Sequence, residues 1–205
     1  LSHQLGPHTY VLEPKVDGMA INLIYENGHW VRALTRGNGK AGEDVTVAIQ
    51  SIASIPHQLI LLPSSILPSK VEVRGEVYIS HADFAALNEA QEQQGLEPFS
   101  NARNLASGSV KLQDLEMVKQ RKLQFIAHGI GYFDGTLATQ TSVRQWLALQ
   151  HFPVFPELIQ THSIEEAWQL IEHFSQQRFT LPYPTDGMVI KIDDRQQQMQ
   201  LGATA

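Results

Sequence analysis

Cysteine is absent from the 205 residues of this chain. Its absence excludes disulfides and thiolate zinc sites and fits the reducing environment of a cytoplasmic protein. Long hydrophobic runs are missing too: no stretch approaches the roughly 18 apolar residues that a membrane span needs. The chain also does not open with a basic segment followed by an apolar one, so no signal peptide is predicted. With 42% hydrophobic and 18% charged residues, a packed core is expected rather than disorder.

The chain also has no surplus of positive charge. It contains 15 Lys and Arg and 21 Asp and Glu, which gives a net charge of −6. Nucleic-acid modules are usually basic, so composition alone argues against DNA binding. One local cluster is rich in positive charge. It contains four cations, Lys111, Lys119, Arg121 and Lys122, with Asp114 and Glu116 interspersed among them. Both a solvated surface face and a small phosphate-contacting patch remain open for it.

Hydrophobic patterning and turn residues predict strands mixed with helices. Asn27-Gly28 between apolar runs predicts a hairpin within 9–36. Strands are also predicted over 71–79, 123–131 and 187–192. Helices are expected at 45–54 after Asp44, from Ser80 to near Gly95, within 101–109, from Ser142, and after the capping pair Ser163 and Glu166. Because no regular βαβ rhythm is visible, the predicted class is α+β.

The hexapeptide 13–18 places a lysine between two carboxylates. In an extended strand Glu13, Lys15 and Asp17 project from one face. The arrangement fits either a charged exposed face or a lysine nucleophile, whose amine attacks only when it is uncharged. Pro14 lacks a backbone N–H, so the strand is expected to lie at a sheet edge or to end there.

Three further groups carry charge beside glycine. Arg36 lies in the glycine-rich loop 35–42, and Arg74 and Glu76 flank Gly75 in the alternating strand. Asp186 and Lys191 bracket the last strand, where strict alternation puts them on opposite faces, so both can serve one site only if one lies at the strand end or a bulge intervenes. Each group has an ordinary structural interpretation as a surface turn, an ion pair or a snorkelling lysine. Each also has a functional one, as a contact to phosphate, ribose or metal.

The order of these groups matters more than any one of them. Lys15-x-Asp17-Gly18, then Arg74-Gly75-Glu76-Val77, then Asp186-Gly187-x-Val189-x-Lys191 resembles the covalent nucleotidyltransferases, which include DNA ligases, RNA ligases and capping enzymes. Five further stretches are similar to NAD-dependent bacterial DNA ligases: Leu23–Gly28, Thr35–Gly39, Gly42–Thr46, Ser100–Asn104 and Ala106–Ser109. The resemblance extends from about Val11 to Gly202.

The resemblance implies an α+β nucleotidyltransferase fold related to ATP-grasp, with antiparallel-rich sheets around a nucleotide cleft. It implies that Lys15 takes AMP from NAD, releases nicotinamide mononucleotide and passes AMP to the 5′-phosphate of nicked double-stranded DNA. The resemblance also implies a place in DNA replication or DNA repair, without deciding between the two. Mg²⁺ is implied as a cofactor held mainly by phosphate oxygens and water.

The resemblance also assigns roles to individual positions. Around the nucleotide it implies cofactor-binding roles for Glu13 (adenine side), Asp17, Arg36 (phosphate), Glu76 (ribose), Arg178, Asp186 and Lys191 (phosphate). For the steps that take place on bound DNA, it implies that Arg103 and Lys111 contact the nucleic acid. Two departures occur: Ala102 replaces the proline common before Arg103, and Lys111 replaces an arginine, which keeps the charge but loses the planar fork.

Residues 1–205 are expected to form the adenylation core, without the family's small N-terminal subdomain and its oligonucleotide-binding, zinc-finger, helix-hairpin-helix and BRCT modules. We therefore expect slow self-adenylation from NAD, and rapid label transfer to Lys15 would contradict this. No protein-bound zinc, membrane contact or obligate protein partner is expected. Two alternatives stay open: an ATP-dependent DNA or RNA ligase-type enzyme, and a non-catalytic nucleic-acid-binding domain of the same fold.

Overall fold

The protein's structure, a computed structural model, describes residues 8–37, 42–62, 67–156 and 158–202. These ranges contain two antiparallel sheets, one of four strands in the order β3-β2-β4-β5 and one of three in the order β6-β1-β7. The strands are β1 (Tyr10–Val16), β2 (Met19–Glu26), β3 (His29–Thr35), β4 (Lys70–Tyr78), β5 (Gln124–Phe133), β6 (Ile159–Thr161) and β7 (Thr185–Ile192). The α+β class is thereby confirmed.

Seven helices lie in the described ranges, several of them beginning at the polar caps that the sequence predicts. They are α1 (Thr46–Ile49), α2 (His81–Gln93), α3 (Ala102–Ser109), α4 (Leu115–Gln120), α5 (Gln140–Leu149), α6 (Ile164–Gln177) and α7 (Arg195–Leu201). A 3-10 turn, Arg178–Thr180, follows α6. The side chains of Ser80, Asn101 and Ser163 each accept a hydrogen bond from the backbone N–H three residues on, which satisfies a donor that the first helical turn leaves unpaired.

The four-stranded sheet carries most of the apolar core. Alternate residues of β2 (Ile21, Leu23 and Tyr25) are at most 1% exposed, as expected for a strand with one buried face. The helices α1, α3 and α5 pack on this sheet. At the predicted hairpin, Asn27 and Gly28 both have positive φ, 50° and 80°, the requirement of a tight turn whose twist matches its strands.

A small aromatic cluster joins the two sheets. Tyr183 makes an edge-on contact with Tyr78 of β4, with ring centroids 5.7 Å apart, and also packs against Phe155. Val16 and Ile126 complete the cluster. Because Val16 ends β1 and Tyr78 ends β4, the cluster brings the ends of these strands, one from each sheet, together.

The structure corrects three predictions of local structure. The helix after Asp44 spans only Thr46–Ile49, and the Asp44 carboxylate accepts from the backbone N–H and hydroxyl of Thr46. The helix predicted to open at Ser142 begins at Gln140, because Thr139 is its N-cap and Ser142 closes the reciprocal capping box.

The third correction concerns Pro14, which neither ends its strand nor marks an edge strand. β1 runs on to Val16 and is the middle strand of its sheet. The proline is tolerated because β6 pairs only with Tyr10–Leu12, so residue 14 has a neighbouring strand on the β7 side alone.

Candidate active site

A cavity of about 670 Å³ opens where the two sheets approach each other. It lies within the size range of small-molecule sites, about 300–1,000 Å³. Its charged lining comprises four cations, Lys15, Arg36, Arg103 and Lys111, and three carboxylates, Glu43, Glu76 and Asp186. Val16, Gly18, Met19, Ala20, Thr35 and Gly37 complete it. Six residues predicted from the sequence therefore meet in one place.

Lys15 is positioned by the pairing of β1 with β7. Its Nζ donates to Asp186 Oδ2 at 2.8 Å, and about half of the lysine side chain is exposed. Lys15 pairs with Gly187 while Val16 pairs with Thr185, so the register skips Asp186. This irregularity is the bulge that alternation requires if Asp186 is to reach the site.

Asp17 and Gly18 form the turn from β1 to β2. Asp17 accepts from Arg103 Nη1 at 2.9 Å, which ties this turn to α3. A Cβ on Gly18 would lie 2.3 Å from the carbonyl oxygen of Val77. Only glycine allows that approach of two backbones, so the Lys-x-Asp-Gly sequence has a packing reason for its last residue.

Glu76 is the most perturbed acid of the cavity. It lies in β4 opposite Ala20 of β2, and the neighbouring Gly75 packs against the ring of Phe125. Burial raises the pKa of Glu76 to about 7, although the positive charges of Arg103, Lys15 and Arg36 act in the opposite direction. The carboxyl can thus hold or release a proton near neutral pH.

Glu13 and Lys191 form a second, more buried pair. Lys191 Nζ contacts Glu13 Oε2 at 2.5 Å and the carbonyl oxygen of His128 at 2.9 Å. The two side chains are only 7% and 20% exposed, and neither belongs to the lining of the 670 Å³ cavity. Burial, with the positive charge of Lys191 next in effect, lowers the pKa of His128 to about 4. The imidazole beside the pair is therefore neutral at pH 7.

Not all predicted residues meet in the cavity. Glu13, Lys15 and Asp17, expected on one strand face, each engage a different partner: Lys191, Asp186 and Arg103 respectively. Arg178 lies in the 3-10 turn with its guanidinium 4.7 Å from the ring centre of Phe179, outside the cavity lining.

Sequence reasoning assigned no role to Glu43, which lines the cavity and pairs with Lys111 at 2.7 Å. Its only signal was membership of the stretch Gly42–Thr46. The rest of the basic cluster at 111–122 is also occupied: Lys119 pairs with Glu116, Lys122 with Asp83, and Arg121 stacks on Phe99. Residues 38–41 of the predicted glycine-rich loop lie outside the described ranges.

Neither a metal-ligand cluster nor a membrane helix is present in the ranges that the structure describes. There, no group of three or more His, Asp or Glu side chains is arranged to hold a metal ion. Among the described helices, none combines the length and apolar character of a membrane span.

Solved structures share this fold. One, described as "Pmar-Lig_Pre.", superposes with a TM-score of 0.53 at 14% identity, covering 94% of this chain and 40% of the other. The ligase domain of M. tuberculosis LigD matches with a TM-score of 0.50 at 15% identity, over 91% of this chain and 49% of the other. At such identities the likeness concerns the fold alone. The chain therefore shares its α+β fold with a solved DNA ligase domain.

Sequence comparison identifies the family to which the chain belongs. The family model described as "NAD-dependent DNA ligase adenylation domain" matches residues 2–205, and the chain belongs to that family. Curated relatives named "DNA ligase" include those of Kocuria rhizophila (42% identity, 96% of this chain), Rhodopseudomonas palustris strain BisA53 (41%, 94%) and Desulforudis audaxviator (43%, 95%). This chain spans 25%, 27% and 29% of their respective lengths. The ATP-dependent and non-catalytic alternatives are not favoured by these findings.

Proposed function

We propose that residues 1–205 are an adenylation core in which Lys15 accepts AMP from NAD and then delivers it to a nick in double-stranded DNA. The observation that carries the proposal is the position of Lys15. Its amine lies in a cavity lined by three other cations and by a carboxyl with a pKa near 7. Family membership supplies NAD as the donor.

The first step transfers the adenylyl group. Lys15 Nζ loses a proton and attacks the α-phosphorus of NAD, a P–N bond forms, and the P–O bond to nicotinamide mononucleotide breaks. The leaving phosphate keeps the electron pair. Asp186 Oδ2 already accepts a hydrogen bond from Nζ at 2.8 Å, so we propose Asp186 as the first acceptor of the proton.

The cations of the lining suit the charge that develops in this step. Arg36, Arg103 and Lys111 supply positive charge to an anionic phosphate, the electrostatic role expected where phosphoryl oxygens gain charge. Glu76 is proposed to accept from a ribose hydroxyl. Lys191 and Glu13 are proposed to bind the phosphate and adenine sides, respectively, once the nucleotide separates their ion pair. Asp17 is proposed to hold Arg103 in place.

Two further steps complete the proposed reaction. A 5′-phosphate oxygen at the nick attacks the phosphorus of lysyl-AMP, a P–O bond forms, the P–N bond breaks, and the leaving amine of Lys15 takes up a proton. The 3′-hydroxyl then loses its proton and attacks the adenylated 5′-phosphate, so that a phosphodiester bond forms, the pyrophosphate P–O bond breaks and AMP leaves with the electron pair. Arg103 and Lys111 are the proposed contacts to nicked DNA, and Arg178 stays a proposed nucleotide contact, although it lies outside the cavity lining. Mg²⁺ is proposed as a cofactor that would be held mainly by phosphate oxygens and water and would offset part of the phosphate charge.

Intact-mass spectrometry tests the proposal after prolonged incubation with NAD and Mg²⁺. The expected product carries one adenylyl group, which peptide mapping locates on Lys15, and ATP does not replace NAD. Lys15→Arg should abolish the adduct. Lys119→Arg is a matched control because Lys119 is similarly exposed and also pairs with a carboxylate, 2.7 Å away in α4. An adduct that survives Lys15→Arg would refute the proposal.

A further inference from the structure

Three of the cavity's cations are paired with carboxylates before any ligand binds. The contacts are 2.7–2.9 Å long and join different elements: Lys15 with Asp186, Arg103 with Asp17, and Lys111 with Glu43. An incoming phosphate must therefore compete with a carboxylate of the protein for each of these cations. Glu43 differs from the other two acids because it lies outside the Lys-x-Asp-Gly and Asp-Gly-x-Val-x-Lys motifs.

The backbone of Glu43 is fixed against the end of β3. Its N–H donates to Thr35 Oγ1 at 2.9 Å, and its carbonyl accepts from the Thr35 N–H at 2.9 Å. A Cβ on Gly42 would lie 1.9 Å from the Thr35 carbonyl oxygen, so only glycine allows this approach. The carboxylate is thus held at the cavity by its main chain, while 63% of its side chain stays exposed.

Lys111 is the partner of Glu43 in this ion pair. It follows α3, its N–H donates to the Gly108 carbonyl, and half of its side chain is exposed. An ion pair between two exposed side chains is weak, changing an equilibrium by less than about fivefold. Such a pair orders Lys111 in the free protein, yet a phosphate is able to displace it.

We propose that Glu43 is a positioning residue that competes with DNA phosphate for Lys111 and thereby lowers the affinity of the protein for the 5′-phosphate of a nick. The inference rests on the proposed function, in which Lys111 contacts nicked DNA. A terminal 5′-phosphate carries about −1.5 to −2 charges at pH 7, whereas a phosphodiester carries one. The monoester at a nick therefore displaces Glu43 more readily than the diester of sealed DNA. Once sealing converts one into the other, Glu43 recovers Lys111 and favours release of the product.

The test measures affinity for a nicked duplex with a 5′-phosphate, in EDTA so that no reaction occurs. Glu43→Gln should bind about threefold more tightly than wild type at low salt, with a smaller gain for a duplex whose nick ends in 5′-hydroxyl. Glu116→Gln is the matched control. It changes the net charge equally and frees Lys119 from a contact of the same 2.7 Å length in α4. The gain of Glu43→Gln over this control should shrink as salt rises.

A double-variant cycle decides whether Glu43 acts through Lys111. In a Lys111→Gln background the gain from Glu43→Gln should vanish, and Glu43→Asp alone should give an intermediate affinity. Gains that are equal for Glu43→Gln and Glu116→Gln, or that persist without Lys111, would overturn the inference. So would a Lys111→Gln variant that binds like wild type. Adenylation of Lys15, measured separately by mass, would show whether the proposed function fails as well.

Discussion

The two sheets of this molecule are stabilised by different means. In the four-stranded sheet, β2 and β4 bury alternate apolar side chains such as Leu23 and Val73, both fully inaccessible. In the three-stranded sheet, β1 buries Val11 and Leu12 completely, but β7 has no fully buried residue and its Ile190 remains 38% exposed. Besides the backbone pairing of the two strands, two ion pairs join β7 to β1, one at Lys15 and one at Lys191.

The four-stranded sheet thus provides the rigid framework, and the three-stranded sheet presents charged groups for the chemistry. Apolar burial is the main favourable contribution to folding, whereas exposed ion pairs contribute little. A sheet held by a packed core can position Glu76 and the turn at Gly18 without depending on charge. The other sheet presents its charged groups in pairs that a ligand is able to open. Four predictions test this division, in order of decreasing effect.

Asp186→Asn should lower the rate of Lys15 adenylation by about 10²–10⁴-fold, because it removes the proposed proton acceptor. The free energy of unfolding should change by less than about 0.5 kcal/mol, since the Lys15 pair is largely exposed. Single-turnover adenylation measures the rate, and urea unfolding of the same preparations measures the free energy of unfolding. A variant that is strongly destabilised but adenylates normally would reverse the proposed roles of the two sheets.

Leu23→Ala should lower the free energy of unfolding by about 2–5 kcal/mol, because a fully buried leucine leaves a cavity in the core. Ile190→Ala, in the three-stranded sheet, should cost about 1 kcal/mol or less, since the isoleucine is already partly exposed. Chemical denaturation of both variants measures the contrast. Equal losses would mean that the sheets do not differ in the way described.

Glu13→Gln should destabilise the protein by about 2 kcal/mol. It leaves Lys191 largely buried without its carboxylate, at a site less enclosed than those where such losses reach about 3–5 kcal/mol. Adding Lys191→Met should restore part of the loss, because no unpaired charge then remains. If the double variant were no more stable than Glu13→Gln, the pair would not be the cause.

Glu76→Gln should change how stability depends on pH. The pKa of Glu76 is about 7 in the folded protein against an ordinary value of 4.5, so between these values the folded state binds more protons than the unfolded state. Wild-type stability therefore falls as pH rises through this window. The stability advantage of Glu76→Gln should grow from pH 4.5 to pH 7 in urea unfolding. If stability depended on pH in the same way in wild type and in Glu76→Gln, with the exposed Glu116→Gln variant as the reference, the buried acid would not be the cause.

Much of the four-stranded sheet was predictable because its signals are local. Asn27-Gly28 specifies its own turn, alternation in 71–79 predicts the buried face of β4, and Ser80 caps α2 through a bond to a residue three positions away. These features depend on neighbours in sequence. The prediction succeeds wherever the short-range chemistry and the fold agree.

The three-stranded sheet was harder to predict because its features depend on distant partners. Pro14 indicated an edge strand, yet β6 and β7, which begin more than 140 residues later, make β1 the middle strand. The register irregularity that carries Asp186 to Lys15 has no signature in either strand alone. Likewise, the contact of Glu43 with Lys111 joins two loops far apart in sequence. The residues of the site were named mainly through the family resemblance, whereas their pairing required the three-dimensional fold.

The most direct test of the central claim is the location of an adenosine nucleotide in a crystal of the protein grown with AMP. We predict that the phosphorus lies within bonding or contact distance of Lys15 Nζ, in the cavity lined by Arg36 and Glu76. A nucleotide bound with its phosphate in a different pocket, such as that beside Trp168 and Ile190, would contradict it.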